Sequence, residues 1–142
     1  MFESIILPGI VALLVSLLTF HLKERHTDRS QEFKDYTKLC SNLRSSIIKS
    51  NPAMAETDFI CHAKDMLFMI DNSEYFDEDK KKFIHEMINT LEYQFAYITI
   101  ADIDKETLEE NKSTAITSVN NISIEIRKNQ KISLKRFLPK LW

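Results

Sequence analysis

Apolar residues are distributed along this chain in two ways. From Ile5 to Leu22 they are nearly continuous: IILPGIVALLVSLLTFHL runs eighteen residues without a formal charge, and twelve of these are Leu, Ile, Val or Phe. A helix of that length, at about 1.5 Å of rise per residue, reaches roughly 27 Å, close to the hydrocarbon thickness of a bilayer. Each of the twelve favours the bilayer centre by roughly 0.3–0.6 kcal/mol, which outweighs the cost of Pro8, Gly9, Ser16, Thr19 and His21. The pattern predicts a transmembrane helix over 5–22. A cleaved secretory signal needs a basic leader and a small-residue cleavage site. Here the flank is Met1-Phe2-Glu3-Ser4, and the following HLKERHTDRS reads as a helix that continues.

Further on, the apolar positions thin out to spacings of three and four. Phe33, Tyr36, Cys40, Leu43 and Ile47 form the seam of a helix that buries one stripe. Pro52 cannot continue the ladder and disfavours helical geometry at Asn51, so this helix runs unbroken from near Ser4 to about Lys49. A second helix is expected to start at Thr57 or Asp58, bury Phe59, Ala63, Met66, Leu67 and Ile70, and stop at Asp71-Asn72-Ser73, residues that favour caps and turns. A third starts near Asp77, where Glu78 and Asp79 suit the positive end of the helix dipole, and buries Phe83, Ile84, Met87, Ile88, Leu91, Phe95 and Ile98. The pattern breaks around Asp102 to Glu106. A fourth helix then carries Leu108, Ala115, Val119, Ile122 and Ile126.

The expected fold is all-α: an N-terminal transmembrane helix continuing into a cytoplasmic antiparallel four-helix bundle with short loops. Its organisation is a short extracytoplasmic tail at 1–4, the span at 5–22, the bundle at 23–126 and a basic amphipathic tail at 127–142. The single Gly and three Pro agree with this, because tight hairpins and phosphate loops are built on Gly.

Charge sets the orientation. Lys23, Arg25 and Arg29 follow the apolar run and no Lys or Arg precedes it, so the positive-inside rule predicts an inner-membrane protein with its C-terminal domain in the cytoplasm. The chain is −2 overall and its last sixteen residues contribute +6, so residues 1–126 carry −8. Those six cations are Arg127, Lys128, Lys131, Lys135, Arg136 and Lys140, interleaved with Ile132, Leu134, Phe137, Leu138, Leu141 and Trp142. Trp prefers the headgroup level, and juxtamembrane cations contribute about 1 kcal/mol each against anionic lipid. A tethered tail meets that surface at high effective concentration, so the segment is expected to contact membrane lipid or another anionic ligand. The plainer alternative packs its apolar residues on the bundle and leaves its charges in water. One short cationic patch on an acidic protein is a weak footprint for nucleic acid, which is not an expected partner.

Within the apolar run, Gly9, Ala12, Ser16 and Thr19 make one narrow face of small residues that lets helices approach closely. Continued down the same helix, this face drifts only slightly before meeting the seam from Phe33 to Ile47. The stripe predicts a homo-oligomer, and in a ring of chains Ser16 and Thr19 would face a pore. In the alternative the seam packs only inside its own bundle.

No constellation supports catalysis. His21, His26, His62 and His85 with Cys40 and Cys61 would need ligands converging from three helices to hold zinc, and the adjacent Cys61 and His62 point about 100° apart. No Glu lies three residues before a His, as di-iron bundles require. The two cysteines form no CxxC and suit a reducing compartment. The acidic cluster Asp58, Asp65, Glu74, Asp77, Glu78 and Asp79, followed by Lys80 to Lys82, lacks the Gly and alternating oxygen ligands of a calcium loop and reads as a solvated helix start. No catalytic residue, metal or cofactor is expected.

In layout, an N-terminal membrane helix running into a four-helix cytoplasmic bundle resembles small accessory or effector proteins of bacterial anti-phage systems. Some of those are ribonuclease-like bundles with an Arg four to six residues before a His, whereas the one close pair here, Arg25-His26, is adjacent. The leading expectation is a non-catalytic membrane protein that self-assembles through its first helix, and the resemblance suggests its sharpest form, a defence-type effector that permeabilises the membrane. The alternative is a membrane-tethered adaptor or sensor whose bundle binds a protein partner or signalling ligand.

Overall fold

The computed structural model describes the backbone of residues 3–52, 57–100 and 102–130, and the side chains of 9–52, 58–100 and 102–129. These residues form four helices, α1 (Glu3–Lys49), α2 (Thr57–Asn72), α3 (Glu78–Ile98) and α4 (Lys105–Gln130), with no strand among them. The chain divides into two compact units, Met1–Glu32 and Phe33–Trp142.

Each helix end has a local cause. At the end of α1, the Ser50 N–H and Oγ both donate to the Ser46 carbonyl, at 3.0 and 2.8 Å, which satisfies polar groups on two buried serines just ahead of Pro52. Asp77 is extended and its carboxylate accepts the Lys80 N–H at 2.9 Å, a side-chain cap for one of the unpaired donors at the start of α3. Asp104 caps α4 in the same way, accepting the Thr107 N–H at 3.0 Å and the Thr107 hydroxyl at 2.6 Å. These bonds favour the ionised form and hold the Asp104 carboxyl below its usual range. The turn into α4 places Asp102 at φ 67°, a left-handed conformation that Asp tolerates better than bulkier residues.

The core of the second unit is one cluster with a stripe from every helix. Phe33, Tyr36, Cys40, Leu43 and Ile47 come from α1, and Phe59, Ala63, Met66 and Ile70 from α2. Ile84, Ile88, Leu91, Phe95 and Ile98 come from α3, and Ala115, Val119, Ile122 and Ile126 from α4. Cross-helix contacts fix the directions. Phe59 stacks on Phe95 with ring centroids 3.8 Å apart, while Asp71 Oδ1 lies 2.7 Å from His85 Nε2, so α2 and α3 run antiparallel. Lys80 near the start of α3 pairs with Glu125 near the end of α4. Arg44 bonds Asn120, and Lys112 Nζ donates to the Ile48 carbonyl at 3.1 Å, which sets α1 antiparallel to α4.

One aromatic departs from the periodic expectation, and another is buried where no helix was expected. Phe83 is 47% exposed, because on α3 it lies one residue before the buried stripe that begins at Ile84. Phe76, in the connection between α2 and α3, is buried instead, edge-on to Tyr36 at 5.8 Å and tilted against Phe33 at 6.1 Å. Leu67, Met87 and Leu108 pack at the margin of the core.

Among the described residues no helix is long and apolar enough to cross a membrane. The expected span at 5–22 is therefore not among the elements the structure establishes. Of that run, residues 5–8 lie outside those whose side chains are described.

Candidate functional site

The residues singled out by the sequence fall into three groups with different environments. Gly9, Ala12, Ser16 and Thr19 are all exposed on α1. A Cβ added to Gly9 would meet nothing within 4 Å, so the fold of a single chain does not demand glycine there. Thr19 Oγ1 donates to the Val15 carbonyl at 2.7 Å, one turn back, and Thr27 does the same to Lys23 at 3.0 Å. The Thr19 hydroxyl is thus taken up within its own helix. Around these small residues, Ile10, Val11, Leu13, Leu14, Val15, Leu17, Leu18, Phe20 and Leu22 are each about half exposed or more, on every side of the helix.

The seam residues Phe33, Tyr36, Cys40, Leu43 and Ile47 have the opposite environment, with at most 4% of their surface left. They are spent inside the chain's own bundle, so they contribute core and offer no surface to a second copy unless the bundle opens. Cys40 lies on α1 in the core, where its thiol meets Ser123 of α4 in a hydrogen bond. Burial pushes the thiol up, partly offset by that bond and by the positive charges of Arg44 and Arg127. Cys61 is exposed on α2. Among the described residues no group of three or more His, Cys, Asp or Glu is placed to hold a metal ion.

Of the basic tail, Arg127 and Lys128 are exposed in the last turn of α4, where cations complement the negative end of the helix dipole. Lys131, Lys135, Arg136, Lys140 and Trp142 lie outside the described residues.

Periodicity could not reveal the charge network that joins α3 to α4. Glu125 is mostly buried, with 13% of its side chain exposed, and accepts from Lys128 at 2.8 Å and from Lys80. The Lys128 and Lys80 ammoniums hold its carboxyl below the usual carboxylate range. A carboxyl lowered on folding contributes stability that is fully present above the unfolded pKa and is lost as pH falls through the folded value. The acid limb of a thermal-stability profile, recorded below the ordinary carboxylate pKa, should therefore flatten in Glu125→Gln, while the wild type loses stability there. Equal slopes for the two proteins would refute the assignment.

The bundle also exposes aromatic side chains. Phe68 is 70% exposed on α2, and on α3 Tyr93 and Tyr97 stand 67% and 43% exposed with their hydroxyls 2.9 Å apart. At the start of α3, an open groove of about 370 Å³ is lined by Asp77, Asp79, Lys80, Phe83 and Asn129. No known family, curated protein or solved structure matches the chain, so these surfaces alone carry the functional reading.

Proposed function

We propose that this chain is a non-catalytic single-pass inner-membrane protein that associates with copies of itself through its N-terminal helix. In its sharpest form it is a defence-type effector that permeabilises the membrane. The observation that carries the reading is the all-round exposure of apolar side chains on α1 from Ile10 to Leu22. A helix apolar on every side is stable only in apolar surroundings, and an exposed apolar surface of that extent marks a membrane or assembly site. In the sequence, Ile5, Ile6 and Leu7 extend the same run to eighteen residues, a length sufficient to span.

Self-association rests on the small residues alone, because the seam below them is consumed in the core. Gly9→Leu/Ala12→Leu/Ser16→Leu removes the close approach of helices while keeping, or raising, the apolar character that holds the segment in lipid. Open space at Gly9 makes that substitution harmless to a single copy. The wild type is expected to size as an oligomer in detergent and to depolarise cells that express it, and the triple variant as a monomer that does not. An oligomeric and equally active variant would rule the small-residue face out.

A second reading has its own observation. The exposed Phe68, Tyr93 and Tyr97 suit a membrane-tethered adaptor whose bundle binds a protein partner, since aromatic residues anchor such interfaces. Under this reading the triple variant keeps partner capture, and Phe68→Ser/Tyr93→Ser loses it.

A further inference from the structure

We propose that the C-terminal segment 131–142 docks intramolecularly in the open groove between the start of α3 and the end of α4. The proposal goes beyond the membrane reading and does not depend on it. Three observations converge on this occupant. The first is place: Asn129 is itself a wall of the groove, and the segment begins two residues further along the chain. The second is charge. The groove's acidic side chains are Asp77 and Asp79, the ammonium of its one cation, Lys80, is taken by Glu125, and the segment carries four cations and no acid. The third is apolar surface. Phe83 leaves 47% of its area exposed in the groove, and Ile132 and Leu134 are the first apolar residues of the segment. Twelve residues reach up to about 40 Å when extended, far more than the groove requires.

An intramolecular contact of this kind benefits from high effective concentration, so an individually weak pair of interactions suffices. In the proposed docking Lys131, the segment's first cation, pairs with Asp79, and Ile132 and Leu134 cover Phe83. Docking would also withhold the segment's cations from anionic lipid, so the groove and the membrane surface compete for one ligand.

Chymotrypsin cleavage after Phe137, followed by mass spectrometry on the full-length protein in detergent, reads the occupancy directly. The wild type is expected to be protected. Asp79→Lys and Phe83→Ser are each expected to raise the cleavage rate roughly tenfold, the equivalent of about 1.4 kcal/mol of lost contact. Both positions are surface ones, and a circular-dichroism spectrum checks that the bundle stays folded. The charge swap Asp79→Lys/Lys131→Glu is expected to restore protection. Four outcomes would overturn the proposal: equal cleavage in all variants, no recovery in the charge swap, protection that grows with protein concentration, or protection that appears only on adding anionic-lipid vesicles. The third assigns the segment to a second copy, and the fourth to the membrane.

Discussion

Replacing both Leu14 and Leu18 with arginine is expected to move the protein out of the membrane fraction. These residues lie near the middle of the apolar stretch and are 60% and 63% exposed, so the change takes little from the packing of the chain itself. What it changes is the cost of immersion. A leucine favours the bilayer centre by about 0.5 kcal/mol and an arginine opposes it by about 2.5–3.5, so the pair shifts insertion by at least about 6 kcal/mol. That corresponds to roughly four orders of magnitude in partitioning. Fractionation after an alkaline carbonate wash reads it: the wild type stays with the membrane pellet and the double variant is extracted. Retention of the double variant would leave the apolar stretch without a role as a span. Extraction of the wild type would reduce it to a surface contact.

Phe59→Ala is the substitution expected to cost the bundle most. The Phe59 ring is fully buried and stacked on Phe95, with the planes 9° apart, at the end of the bundle where α2 begins and α3 finishes. Truncating a buried phenylalanine loses its transfer free energy and leaves a cavity, about 3–5 kcal/mol together. Single domains hold only about 5–15 kcal/mol in reserve, so the variant spends a large part of the total. For a unit of this size the melting temperature should fall by on the order of 20 °C. Phe68→Ala serves as the control, since that ring is 70% exposed and its loss should change stability little. Similar melting curves for the two variants would show that the stacked pair is not part of the core.

Much of the bundle could be read from spacing. A helix repeats every 3.6 residues, so apolar positions three and four apart mark a buried stripe, and the five seam residues of α1 are all buried. The helix ends were legible where a residue acts through its own chemistry: Pro52 after α1 and Asp77 before α3. Asp104 was less visible, because several polar residues precede α4 and only its bonds to Thr107 single it out. Phe83 was misjudged and Phe76 went unread for one reason: apolar character says that a residue prefers burial, while phase and loop geometry decide whether it gets it.

The functional surfaces were harder to read. Gly9, Ala12, Ser16 and Thr19 form a stripe in any helical projection, but a projection does not say whether a stripe is covered, and these residues are exposed while the seam is not. The Glu125 network and the groove beside Asn129 depend on α3 and α4 lying antiparallel in one register. Periodicity within either helix carries no information about that register.

The two cysteines give the chain a built-in clock for its own breathing. Cys61 is open to solvent and should react with a thiol reagent at once, whereas Cys40 is 4% exposed between α1 and α4, with a thiol that burial keeps protonated. Its modification must wait until those two helices part. The ratio of the slow rate to the fast one therefore measures how often the seam opens in the intact protein, without denaturant or added label. A ligand, a lipid surface or a second copy that grips the bundle should lengthen that interval, and one that pries it apart should shorten it.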